Sequence, residues 1–227
     1  MVKKNDRRSS ISNPQSPISN PQSPISIIST SFRLWWDDLV VMLLLNAAWF
    51  LLQLPVVTGP PATAAVYAMI QKRVEGDYWG PREAWDALRR LFWPAWQWGV
   101  LNLVVWFVGL VNLFVYWRTP GALWFLLRLL WIGGLTIWLM LNLFYWPFWL
   151  AQADKSLRTT YANCARFLLR HPLSALFLTA VSVALTAVSL ITTLPFTLGL
   201  ICWLALMGVV AVQQSLALKE TKWGDVD

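Results

Sequence analysis

Chemistry needs groups that carry charge, hold metal or attack a substrate, and this chain has few of them. It has eleven Asp and Glu, one His and two Cys in 227 residues. The acidic residues are Asp6, Asp37, Asp38, Glu75, Asp77, Glu83, Asp86, Asp154, Glu220, Asp225 and Asp227. All fall in loops or tails, so no carboxylate is placed mid-membrane to carry protons or sodium. His171 stands beside Pro172 with no cluster of Cys, Asp or Glu, which makes no zinc site, and no metal is assigned. Cys164 and Cys202 form no disulfide framework and read as structural. There is no Gly-rich phosphate loop, no Gly-x-Ser-x-Gly and no His-Glu-x-x-His. No catalytic residue and no cofactor is assigned, and the chain is read as not an enzyme.

The polar residues left within apolar stretches are Asn46, Gln53, Gln97, Asn102, Asn112, Asn142, Gln213 and Gln214. Such amides serve as hydrogen-bonding glue between membrane helices. If the chain holds a ligand, Asn102, Asn112 and Asn142 are the best candidates. They fall on two helices joined by a short turn and therefore adjacent.

The elements that position these residues follow from composition. Hydrophobic residues make up 57% and charged residues 13%, about half the charged share of a soluble domain. No charge occurs over Leu39–Gln71, Leu91–Trp117, Thr119–Leu127, Leu129–Ala153 or His171–Leu218. A membrane-crossing helix needs about 20 mostly apolar residues. The expected class is all-α, a polytopic transmembrane bundle of six membrane helices with short interfacial amphipathic helices. Its domain occupies residues 32–219.

The first helix is expected over Phe32–Leu54, ended by Pro55 because a residue before proline is pushed out of helical geometry. Leu54, Pro55, Thr58, Gly59, Pro60, Pro61, Ala62, Thr63 and Ala64 are read as a structural turn. A tight reversal there leads into a short helix from Pro61, where proline suits the first turn, to Glu75. The small residues allow close approach to a neighbour, so the turn could lie at membrane depth if protein shields it. Pro81–Trp93 carries Trp85, Leu88 and Phe92 at helical spacing among charged residues, which suits an interfacial helix. Membrane helices follow over Ala95–Trp117 and Ala122–Gln152, the second with bending points at Gly133-Gly134 and Pro147. A second amphipathic piece spans Asp154–Arg170. Its end at Arg170-His171-Pro172 parallels Phe92-Trp93-Pro94 and suggests an internal repeat. The last two membrane helices are expected over Leu173–Leu194 and Phe196–Leu218, with Pro195 at the turn.

At the amino end, Ile11–Pro17 reads ISNPQSP and Ile18–Pro24 repeats it. Residues 1–31 are read as a disordered Ser/Pro-rich cytoplasmic tail, and residues 220–227 as a polar tail. The bilayer is the partner that composition implies. Six helices would place 16 of the 18 Lys and Arg on one side, leaving Arg118 and Arg128 on the other. The positive-inside bias then sets both termini in the cytoplasm of a bacterial inner membrane. The net charge of +7 is explained by this bias and by anionic lipid, so no nucleic acid is expected.

The stretch Leu54-Pro55-Val56-Val57-Thr58-Gly59-Pro60-Pro61-Ala62-Thr63-Ala64-Ala65 resembles a segment of the YesL family of uncharacterised bacterial integral membrane proteins. Gly59-Pro60-Pro61 stands where that pattern reads Ile-Gly-Pro, one place early. Trp85–Trp93 and Tyr161–Pro172 are similar to further stretches, and the likeness spans Phe32–Lys219. The resemblance implies an accessory protein associated with carbohydrate-uptake systems, with subunits of such a system as partners. It carries over no catalytic residue. The competing expectation is a small transporter acting on its own.

Overall fold

A computed structural model of the chain describes residues 23–192 and 199–224. Among these residues the structure is all helical. The helices are α1 (Pro24–Asp37), α2 (Leu39–Gln53), α3 (Gly59–Glu75), α4 (Pro81–Arg90), α5 (Phe92–Trp117), α6 (Ala122–Ala151), α7 (Leu157–Arg170), α8 (Pro172–Thr192) and α9 (Leu200–Gly224). The ISNPQSP repeats up to residue 22, the Pro195 turn and residues 225–227 lie outside the described residues.

The first expected helix is in fact two. α1 and α2 meet at 92° across Asp38, whose φ of −118° and ψ of 32° break the helical path. Helix also begins earlier than expected, inside the stretch read as disordered tail. The Ser23 hydroxyl accepts from the Ser26 amide at 3.1 Å, and Pro24 fills the first turn. A capping hydroxyl followed by proline is a strong start signal. At the other end α9 runs to Gly224, into the expected polar tail.

Among the described residues four helices are long and apolar enough to cross a membrane: α5, α6, α8 and α9. The bent pair α1–α2 makes a fifth if it counts as one span. The chain is therefore a multi-pass integral membrane protein, and four of the expected six spans, or five with the bent pair, have the length and apolarity of a crossing. α3 is not among them. Its 17 residues rise about 25 Å, it carries Lys72 and Arg73 in its last turn, and protein covers it instead of lipid. Ala62, Ala64, Val66, Met69 and Ile70 are buried, and α3 packs against α2, α4, α5, α6 and α9. Its small residues permit that many neighbours.

The α2–α3 turn reaches only the start of α5. The Trp96 indole donates to the Val57 carbonyl at 2.9 Å, and a Cβ on Gly99 would come within 2.9 Å of the Pro60 ring. Leu54, Val56 and Val57 are exposed, so the turn itself is not shielded by protein. Val56 carries the reversal at φ 59°. Gly59 does not. It opens α3, two residues before the expected start.

The suggested repeat between the two amphipathic pieces extends to three units: residues 24–75, 81–151 and 157–224. Each unit is an amphipathic helix, a single joining residue, an apolar helix and then a third helix. The joints are Asp38, Leu91 and His171. Four residues after each joint stands a fully buried side chain, at Met42, Ala95 and Ala175. Each of those amides donates to the carbonyl of its own joint. Seven residues before the joints stand the small residues Ser31, Ala84 and Cys164, the first and last fully buried. The packing recurs as well. α4 lies on α3, α7 on α6 and α1 on α9, while α3, α6 and α9 touch one another at the centre. The joint of the second unit is Leu91, so the break falls three residues before Pro94 and α5 starts at Phe92.

At the centre Gly208 allows α9 to approach α6. A Cβ there would lie 3.0 Å from the Leu143 carbonyl oxygen and 3.1 Å from the Pro147 ring, with Tyr67 of α3 beside them. Pro147 has no N–H, so the carbonyl of Leu143, four residues back, lacks its helical donor. The bare glycine lets α9 close over that gap.

Candidate functional site

The hairpin of α5 and α6 carries the same spacing twice, Trp98 with Asn102 and Trp138 with Asn142. Residues four apart share one helix face, and antiparallel neighbours bring the two faces together. The contacts are reciprocal. The Trp98 indole N–H donates to Asn142 Oδ1 at 2.9 Å. The Trp138 indole N–H donates to Asn102 Oδ1 at 3.0 Å. Each amide nitrogen then donates back along its own helix, Asn102 to the Trp98 carbonyl at 2.9 Å and Asn142 to the Trp138 carbonyl at 2.8 Å. Asn142 Oδ1 also accepts from the Tyr161 hydroxyl of α7 at 3.3 Å. Two of the three candidate asparagines thus meet in one network.

Asn112 does not join them. It lies two to three turns further along α5, and its Nδ2 donates to the Val108 carbonyl at 2.7 Å on an exposed stretch. That stretch carries Phe107, Leu110 and Phe114 outward to lipid.

Rings enclose the paired asparagines. Trp138 stacks on Tyr161 with centroids 5.0 Å apart, and Tyr161 meets Tyr145 at 4.9 Å. Tyr145 and Trp98 stack at 6.0 Å, and Trp146 stands edge-on to both. Trp149 continues the column at 5.5 Å from Trp146, and the Lys155 ammonium lies 4.9 Å over its ring. Aromatic pairs of this kind add about 0.5–1.5 kcal/mol each beyond area burial. The Tyr145 hydroxyl and the Trp146 indole N–H are buried without a hydrogen-bond partner.

The electrostatics are those of a neutral site. Burial pushes the Tyr161 phenol well above its usual range. Burial does the same to the Cys164 thiol, which keeps it protonated and weakly nucleophilic. A further set of polar contacts on α7 reaches a charge, since the Arg166 guanidinium donates to Asn163 Oδ1 at 2.9 Å. Gln152 donates to the Thr160 hydroxyl at 2.6 Å and accepts from Asn163 Nδ2 at 2.7 Å. Such a site can orient neutral hydrogen-bonding groups against ring faces.

The nine residues read as a structural turn lie together at the start of α3. Thr58 Oγ1 donates to the Leu52 carbonyl. The Gly59 carbonyl accepts from Gln53 Nε2 at 3.3 Å and from Thr63 Oγ1 at 3.2 Å. Thr63 Oγ1 in turn accepts from the Trp49 indole at 3.0 Å. Leu54 and Pro55 end α2 in the open, whereas Gly59, Pro61, Ala62 and Ala64 are buried.

Residues 42–113 match DUF624, a protein family of unknown function. The match is consistent with the YesL resemblance. The DUF624 segment holds the whole turn, α3, α4 and one half of the clamp, Trp98 with Asn102. The other half, Trp138 with Asn142, and Tyr161 lie beyond it. No curated protein and no solved structure matches the chain.

Sequence reasoning found Asn102 and Asn142 but missed their partners Trp98, Trp138 and Tyr161. One signal was available. The four-residue spacing from Trp to Asn occurs on both arms of the expected hairpin, at 98–102 and 138–142.

Proposed function

We propose that this chain, which matches DUF624 over residues 42–113, is a non-catalytic accessory or scaffold subunit of the bacterial inner membrane, that an even number of crossings leaves both its termini cytoplasmic, and that it serves a carbohydrate-uptake system. The carbohydrate link comes from the YesL resemblance. The non-transporting role rests on one observation, the reciprocal clamp. Asn102 and Asn142 spend their oxygens on Trp138 and Trp98 and their nitrogens on helix carbonyls. A substrate would have to break those bonds before it could use the amides. A coupled pump also normally shows an intramembrane charge or a nucleotide site, and no Asp or Glu falls within the apolar stretches 92–117, 122–151, 172–189 and 200–217 of the four long helices.

The second reading is a small transporter that works alone. The stacked rings of Trp138, Tyr161, Tyr145 and Trp98 favour it, since ring faces suit sugars and other neutral ligands. Purification from native membranes in mild detergent separates the two. The scaffold reading expects permease or ATPase subunits of a sugar importer to co-purify, and no flux from the isolated protein in liposomes. Sugar flux by the isolated protein, abolished by Asn102→Ala or Asn142→Ala, would overturn it. Reporter fusions after residue 154 and at the carboxyl terminus test the orientation, and an external signal at either position contradicts it.

A further inference from the structure

An open groove of about 850 Å³ lies between the first two turns of α5 and the linker from α6 to α7. Its walls include Trp93, Trp96 and Val100 on one side and Lys155, Ser156 and Leu157 on the other. Three features of this groove bear on what would fill it.

The first is charge. Lys155 has Arg90 near enough for their charges to act on each other, and burial together with that repulsion lowers the Lys155 pKa. Neither cation has a carboxylate partner among the described ion pairs, which are Arg33 with Asp37 and Arg73 with Asp38. The neighbouring Asp154 carboxylate is taken by the hydroxyls of Ser156 and Thr159, at 3.1 and 2.6 Å. The Lys155 ammonium donates to the Trp149 and Leu150 carbonyls at 2.7 and 2.9 Å. An ammonium has three donors, so the third is opposed by nothing stronger than the Trp149 ring face, 4.9 Å away.

The second feature is place. The groove sits where α5 begins and α6 has just ended, beside the amphipathic helices α4 and α7. Tryptophan and lysine at the mouth of a span mark the headgroup region of a bilayer. The third is the wall below. From Val100 the outward face of α5 continues through Leu103, Val104 and Phe107, all exposed. That face suits an acyl chain. A free anion has no use for it.

We propose that this groove binds the headgroup of an anionic phospholipid, its phosphate between Arg90 and Lys155 and its chains along α5. The site is distinct from the Trp–Asn network and stands whichever functional reading holds.

The test uses the full chain in detergent, titrated with phosphatidylglycerol, with phosphatidylcholine of the same chain length, and with inorganic phosphate. Retained lipid is counted by native mass spectrometry, and the melting temperature is followed in parallel. The wild type should retain phosphatidylglycerol in preference to phosphatidylcholine. Arg90→Gln and Lys155→Gln should each weaken retention about five-fold, the effect of one basic group near an anionic lipid. Arg82→Gln, a basic change on α4 away from the groove, should leave it unaltered. Lys155 also closes the end of α6, so Arg90→Gln carries the decision if the lysine variant fails to fold. Retention of phosphatidylglycerol by Arg90→Gln at the wild-type level overturns the proposal. Equal retention of the two lipids does the same, as does stabilisation by inorganic phosphate that matches the lipid.

Discussion

The Arg73 guanidinium is paired with the Asp38 carboxylate, which ties the last turn of α3 to the corner where α1 bends into α2. The two residues are 35 apart in sequence, and each side chain is about one-quarter exposed. The pair therefore lies between a surface bridge worth about 0–1 kcal/mol and a buried one whose breaking costs about 3–5 kcal/mol.

Arg73→Gln is expected to destabilise the solubilised protein by about 1–3 kcal/mol, between those limits. The loss should show as a lower thermal midpoint. The exchange Asp38→Arg with Arg73→Asp should recover part of it. If Arg73→Gln melts at the wild-type temperature, the pair does not hold the corner.

The clamp between α5 and α6 makes a coupling prediction. Asn142→Leu leaves the Trp98 indole without its acceptor, and Trp98→Phe leaves Asn142 Oδ1 with Tyr161 alone. The double variant should cost less than the sum of the two single changes. A coupling of about 0.6 kcal/mol, and up to about 1.7, is the range for interhelical hydrogen bonds in membrane proteins. Additive losses in unfolding measurements would show that the two groups do not interact. Asn112→Leu, outside the network, should change stability little.

Gly208→Val places branched carbon against the Leu143 carbonyl and the Pro147 ring. Neither can move far, because one is backbone and the other is a ring inside a helix. Over-packing of this kind costs about 1–3 kcal/mol. The variant should yield less folded protein and elute as a broader peak on size exclusion. Gly133→Val has open space around it and serves as the control. Equal behaviour of the two variants would refute the close approach of α9 to α6.

Val56 holds φ 59° in the α2–α3 turn, a region where a β-branched residue is strained. Val56→Gly removes a cost of about 1–2 kcal/mol and should raise the thermal midpoint, less whatever backbone freedom glycine adds to the unfolded chain. A lower midpoint would mean that the exposed valine contributes more at the turn than its strain costs.

Much of the architecture was legible from composition. Lys and Arg fall between apolar runs, and those runs have the length that a bilayer demands, so the all-helical membrane class and the limits of α5, α6 and α8 were predictable to within a few residues. The two amphipathic pieces were also visible, because their apolar side chains recur at the helical period. The amino-terminal corner was not. The charged and aromatic run from Arg33 to Asp38 reads as the start of one helix, and nothing in it fixes a turn of 92° at Asp38. What bends the chain there is the packing of α1 on α9, more than 160 residues away.

The sequence alone determined that most of these residues leave water, because apolar side chains do so whether they meet lipid or protein. It could not say which of the two each would meet, since both environments favour the same residue types. Tertiary structure decided that. It placed α3 among protein neighbours at the centre and left the outer faces of α5 and α6 bare. It also paired Asn102 and Asn142 through tryptophans on opposite helices and left Asn112 apart. The reason is geometric. A hydrogen bond depends on the register between two helices, and that register follows from how every helix in the bundle packs.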